Sequence, residues 1–296
     1  MVAALSPTFL RPFTVAAVLL LALTAAVAQG LRPSTASELR SRHAALLPQL
    51  EKNALRGPLH IESSEGQGEV YAVLDVPFAT VSAALANPAH WCDVMMLHLN
   101  TKSCRSHGAG AAVQLELRIG RTYAQPLADA QRVLFDWRAT VAPGDSLQVR
   151  LDAPDGPFDT RDYRILLEAV PLEGERTFLH MGSSFQSGTA SRLALQLYLA
   201  TLGRSKVGFS TLAARPGAQP EFVGGVRGLM ERNTMRYFLA IEAYLGARSM
   251  PPASQPEARL QAWFDATEKY PRQLREIDRA TYLEMKRAEL RRQQAQ

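Results

Sequence analysis

The chain has 296 residues, 47% of them hydrophobic, which is enough to bury one sizeable core. Its formal net charge is +5; removing residues 1–28 takes away one Arg and no acid and leaves +4. So modest a charge helps approach to an anionic membrane but does not mark a nucleic-acid binder.

The start of the chain reads as an export leader. Arg11 precedes an uncharged run, Phe13 to Ala28, that ends in Ala26-Val27-Ala28. A basic residue, a short apolar run and small residues at the cleavage positions are the marks of a secretory signal peptide over residues 1–28. The run is shorter than the ~20 residues that span a bilayer. The alternative is an uncleaved N-terminal anchor. No Cys follows the cleavage position, which argues against a lipoprotein. The expected location is therefore outside the cytoplasm: the periplasm of a Gram-negative cell, or secreted.

Residues 29–65 read as a linker and a helix. Thr35 with Glu38 forms a possible capping box, opening a helix through Leu39, Leu46 and Leu50 that Pro48 is expected to bend. Gly57-Pro58 closes this section.

A ladder of alternating segments follows. Val70, Ala72, Leu74 and Val76 share one face of a strand. Pro77 suits the first turn of a helix over Phe78–Ala86, and Asn87-Pro88 breaks it before a short turn with His90-Trp91-Cys92-Asp93. A strand is expected near Leu99–Ser106. Val113, Leu115, Leu117 and Ile119 alternate with Gln114, Glu116 and Arg118. The clearest strand has Val133, Phe135, Trp137, Ala139 and Val141 on one face. Leu147, Val149 and Leu151 follow after Pro143-Gly144-Asp145, then Tyr163, Ile165, Leu167 and Ala169, then Leu179, Met181 and Phe185. Turns this short give an antiparallel meander of about seven strands with one apolar face, packed on a single side.

The cover is a long helix from Glu221 to about Gly246. Val226, Leu229, Met230, Asn233, Tyr237, Ile241 and Tyr244 repeat at helical spacing. Before it, 190–202 reads as an inserted helix with Leu193, Leu197 and Ala200 on one face. After it, residues 251–296 form a charged extension of two helices split by Pro271. Its basic end, with Lys286, Arg287, Arg291 and Arg292, reads as a solvated face.

Cys92 and Cys104 are the two cysteines. An exported chain with an even count favours a disulfide. His90, His98 and His107 lie nearby, but the spacing of the cysteines fits no zinc template, so no metal is expected.

The order of strand, two short helices, further strands and a long C-terminal helix resembles the START-like, or SRPBCC, helix-grip superfamily of START domains, birch-allergen-like proteins and cyclase-like domains. GEVYAVLDVPFATVSAALANPAHWCDV at the front and FVGGVRGLMERNTMRYFLAIEAYL at the back carry the resemblance, which covers about Glu69 to Gly246. It implies an α+β helix-grip domain over residues 66–250 and a hydrophobic cavity between sheet and final helix.

The candidate lining is Phe135, Trp137, Met181, Met230, Asn233, Tyr237, Ile241 and Tyr244. Each has a structural alternative. Asn233 either holds a ligand's polar head or bonds a strand residue, and the aromatic rings are either cavity wall or plain core. His180 has the parity of Phe178 and Ser184 and is expected to face out. Arg227, Arg232 and Arg236 lie off the apolar stripe and are expected in solvent or paired with Glu231.

Gly182-Ser183-Ser184 is not a nucleophile elbow, H-E-x-x-H is absent, and Gly224–Gly228 lacks the Lys-Ser/Thr of a phosphate loop. The expected function is to bind or carry a hydrophobic small molecule, such as a lipid, with transient membrane contact and no cofactor. The alternatives are a cyclase-like enzyme of the same fold and an interaction module that docks through its basic C-terminal helices.

Overall fold

The computed structural model describes residues 31–295 apart from 53–56, 111, 189–192, 194, 198, 200, 202–204 and 213–220. The expected leader over residues 1–28 lies outside the described residues, as does most of the segment at 190–202 expected as an inserted helix. Within that segment Leu193 and Leu197 are exposed.

Helix α1, Ala36–Glu51, opens on the expected capping box: Thr35 Oγ1 accepts from Glu38 N–H, and the Glu38 carboxylate accepts from Thr35 N–H. It runs through Pro48 as one helix. The strands are β1 (Leu59–Ser64), β2 (Gln67–Leu74), β3 (Thr101–His107), β4 (Val113–Ile119), β5 (Gln131–Ala142), β6 (Ser146–Asp155), β7 (Thr160–Leu172) and β8 (Arg176–Ser187). Between β2 and β3 lie the short helices α2 (Phe78–Leu85) and α3 (Pro88–Met95). The long helix α4 is Gly225–Gly246, and α5 (Gln255–Glu268), α6 (Pro271–Leu274) and α7 (Arg279–Gln294) follow it.

The eight strands form one antiparallel sheet in the order β1-β2-β8-β7-β6-β5-β4-β3. The expected count of about seven is short by one. Leu59–Ser64 pairs with β2 across the point where sequence analysis closed the N-terminal section. The meander runs from β3 to β8 and returns to pair β8 with β2, so β1 and β3 are the edges.

Helix α4 packs most closely on β1, β2 and β8. Gly68 permits that approach: a Cβ there would meet Met230 O at 2.8 Å and Thr234 Oγ1 at 2.7 Å. Helices α2 and α3 cover β7 and β8 and the β3–β4 end. A disulfide joins Cys92 of α3 to Cys104 of β3, with Cα atoms 5.2 Å apart.

Two expectations about cover are corrected. The sheet packs on both faces, because Leu39, Leu46 and Leu50 of α1 close over Tyr71, Val170 and Phe178 on the outer side. The C-terminal helices belong to the main core: Leu260, Trp263, Phe264, Leu274, Tyr282 and Leu283 join the same cluster as the inner sheet face. They bury the side of α4 that a stripe analysis leaves in water. Arg236 pairs with Glu276 at 2.6 Å and Glu231 accepts from Ser63, Phe209 N–H and Ser210 N–H. Arg232 donates to Val207 O and is buried as well. Helix α7 covers edge strand β3, with Lys286 donating to Thr101 O and Gln293 accepting from Cys104 N–H. Lys286 is therefore buried, while Arg287, Arg291 and Arg292 are exposed as expected.

Candidate functional site

Phe135 and Trp137 stand on the inner face of β5, two residues apart and so on the same side of the pleat. Both are buried. The ring of Tyr163, from β7, meets Phe135 edge-on at 5.8 Å and stacks on Phe185 at 5.6 Å. Its hydroxyl lies near that of Tyr237 on α4, and each acts on the other's ionisation. Tyr237 in turn stacks on His98 at 5.2 Å. Neighbouring rings therefore lead from the sheet to the long helix, through Phe135, Tyr163, Tyr237 and His98.

Burial dominates the electrostatics here. It pushes the Tyr163 hydroxyl up to about 12 and raises that of Tyr237 well above its ordinary value. Burial, then the charges of Arg236 and Lys286, hold His98 well below its ordinary value, so the ring is neutral. His98 Nδ1 accepts from Asn100 N–H at 3.2 Å, which assigns the ring proton to Nε2. Among the described residues that Nε2–H is buried without a partner, and so is the indole Nε1–H of Trp137. Unsatisfied buried donors are uncommon, because each costs about 1–3 kcal/mol.

Of the eight expected lining residues, Phe135 and Tyr237 are joined through Tyr163, and Trp137 lies beside them on β5. Met181 and Ile241 are fully buried in the same core, and Met230 sits where α4 crosses Gly68. Asn233 is only half-buried and so is not the buried amide its place in the stripe implies. Tyr244 lies further along α4 with different neighbours: its ring is 5.6 Å from His90 and beneath Arg259, and its hydroxyl accepts from Arg248. Sequence reasoning missed Tyr163, Phe185 and His98 as site residues. The first two were visible as inward positions of their strands. His98 follows α3 in an irregular turn and carries no periodic mark.

His180 has the outward parity expected of it, but it is buried. Its Nε2 lies 2.9 Å from Glu69 and its Nδ1 3.0 Å from Glu168, and Tyr71 stacks on it at 4.5 Å. Ser34 N–H and Oγ–H donate to Glu168, which fixes the start of α1 to this cluster.

Two surface pockets lie elsewhere. One of about 520 Å³ is lined by Arg121, Gln125, Gln131 and Phe158, and one of about 330 Å³ lies between the β4–β5 loop and α7. None of the eight expected residues lines either. Among the described residues there is no cluster of His, Cys, Asp and Glu that would hold a metal, and no helix is long and apolar enough to cross a membrane.

The chain is similar to several solved structures. Human StAR-related lipid transfer protein 5 matches at 10% identity over 57% of this chain and 89% of that one, with a TM-score of 0.33. Ara h 8.0201 matches at 11% identity over 64% and 99%, with a TM-score of 0.37. Norcoclaurine synthase from Thalictrum flavum, solved with dopamine and hydroxybenzaldehyde, matches at 9% identity over 49% and 80%, with a TM-score of 0.34. No protein-family profile and no curated protein matches the chain. The strand order and the place of α4 in this chain define its architecture: an α+β helix-grip arrangement, one antiparallel sheet against a long helix near the C-terminus.

Proposed function

We propose that the protein binds a hydrophobic small molecule in the interior between β5–β7 and α4. The carrying observation is two buried donors without partners among the described residues: His98 Nε2–H, at the end of the ring chain through Tyr237 and Tyr163, and Trp137 Nε1–H, two residues from Phe135 on the inner face of β5. A ligand with a hydrogen-bond acceptor, such as a ketone or ester oxygen, would satisfy a donor that the protein leaves open. Apolar burial would supply affinity at roughly 25 cal/mol per Å², and the acceptor would set orientation. The ring of His98 is held neutral, so at this donor the site suits binding of an acceptor rather than proton transfer from a charged acid.

A lipid with a carbonyl or ester fits this chemistry and is the finer form of the proposal. Transient contact with a membrane would then serve loading and release. The leader read in residues 1–28 and the Cys92–Cys104 disulfide support a place outside the cytoplasm. Native mass spectrometry of protein purified without organic solvent tests the reading. The expected result is a stoichiometric adduct of low mass that organic extraction removes. Protein that never carries an adduct, even after incubation with apolar ketones or lipid esters, would sink it.

A further inference from the structure

A second region carries charges that do not balance. Lys102 of β3 and Lys286 of α7 share one carboxylate, Glu289: Oε1 accepts from Lys102 at 3.1 Å and Oε2 from Lys286 at 2.8 Å. The three side chains are 2%, 0% and 3% exposed. Two ammonium groups around one carboxylate leave a buried positive charge, which is costly unless an anion compensates it. Burial draws the Lys286 ammonium down only to about 8, so it remains mostly charged at neutral pH.

On one side the cluster borders a pocket. Lys102 and Glu289 form part of the wall of the 330 Å³ pocket, with Leu127, Met285, Thr281 and Arg292. Glu289 is the one acid in that wall, and both its oxygens are taken. Lys102 donates to Tyr123 O and to Glu289; its remaining contact is the Met285 sulfur at 3.8 Å, a weak acceptor. Arg292 is exposed at the rim and makes no ion pair among the described residues.

We propose that this pocket binds an organic monoanion, a carboxylate bearing a short apolar group. The carboxylate sits between Lys102 Nζ and the Arg292 guanidinium, where one negative charge balances the cluster. The apolar group lies on Leu127 and Met285. This inference does not rest on the interior site, which asks for a neutral acceptor and has none of its proposed lining residues in this pocket.

Calorimetric titration of the whole protein with hexanoate, 1-hexanol and inorganic phosphate tests it. Hexanoate is expected to bind one to one, with 1-hexanol and phosphate each at least about tenfold weaker, a difference of about 1.4 kcal/mol. Arg292→Gln changes an exposed residue and is expected to weaken hexanoate about tenfold. Leu127→Trp, at a half-buried position, is expected to fill the pocket and abolish binding without loss of thermal stability. Equal binding of hexanol would remove the ionic element, and equal binding of phosphate would mean a simple anion site. Hexanoate binding unchanged in both variants would place it elsewhere. Each of these results would overturn the proposal.

Discussion

The two faces of the sheet are both covered, but by different chemistry. The inner face, under α4, is apolar and aromatic, and its polar atoms are few and partly unpaired. The outer face, under α1, holds an ionic cluster in which each His180 nitrogen faces a carboxylate, with Tyr71 donating to Glu69 and Ser34 to Glu168. Satisfied buried networks fix structure, whereas unpaired donors are available to a ligand. The outer face therefore clamps the N-terminal segment, and the inner face is where the proposed recognition would occur.

The largest test of this contrast is His180→Ala. It strands Glu69 and Glu168 without their shared cation, and breaking a buried pair typically costs about 3–5 kcal/mol. Chemical denaturation of parent and variant measures the loss; a loss below 1 kcal/mol would mean the cluster does not hold α1. The same pair of proteins gives a pH signature. Burial opposes charge on His180, but its bonds to Glu168 and Glu69 outweigh burial and raise its pKa. Its contribution is thus full below the ordinary value of 6.5 and is lost as pH rises through the raised folded value. Burial also opposes charge on Glu69, yet bonds from His180, Tyr71 and Gln67 bring it to about 2. That contribution is present above 4.5 and is lost as pH falls through about 2. The stability difference between parent and variant should therefore peak between about pH 4.5 and 6.5; a flat difference would break the account.

Reduction of Cys92–Cys104 comes next. It frees α3 from β3 beside His98, and a loop of this length is worth roughly 3 kcal/mol in the chain-entropy model. Thermal unfolding with and without reductant measures it, and an unchanged midpoint would mean the α7 packing alone holds this edge. On the inner face Tyr237→Phe removes only a buried hydroxyl that faces Tyr163, so a loss of about 1 kcal/mol is expected in the same denaturation experiment. A loss as large as that of His180→Ala would erase the contrast between the faces.

The smallest effect is expected at Lys286→Met. The variant removes an excess buried cation, whose desolvation is costly, and leaves Glu289 paired with Lys102, so the lost bonds to Thr101 O and Glu289 are largely offset. In the parent, the lowered Lys286 value makes stability rise with pH between about 8 and 10.5. Denaturation midpoints across that range should lose this rise in the variant.

What the sequence made legible follows from what is local. The β5 alternation names its buried residues, Val133, Phe135 and Trp137, and Thr35 with Glu38 places the start of α1. Strand β1 was not legible, because Leu59 and Ile61 are only two apolar positions beside Gly57-Pro58. Parity placed His180 on the outer face, but the cover over that face comes from α1, more than a hundred residues earlier. The stripe on α4 is genuine, yet Arg236 is buried because Glu276 arrives from forty residues downstream. Lys102 and Glu289 are 187 residues apart and only the fold joins them. For the interior site, strand period brings out Phe135, Trp137 and Tyr163, while the unpaired donors exist only in three dimensions.

The central claim is that the inner face recognises a neutral apolar ligand through an open donor. Titration with an environment-sensitive apolar dye, competed by a long-chain ketone and by the hydrocarbon of equal length, tests it in parent and in Trp137→Phe. The account predicts saturable binding of one dye per chain, stronger displacement by the ketone, and loss of that preference in the variant. Non-saturable dye binding, or equal displacement by ketone and hydrocarbon in the parent, would contradict it and leave the interior as packed core.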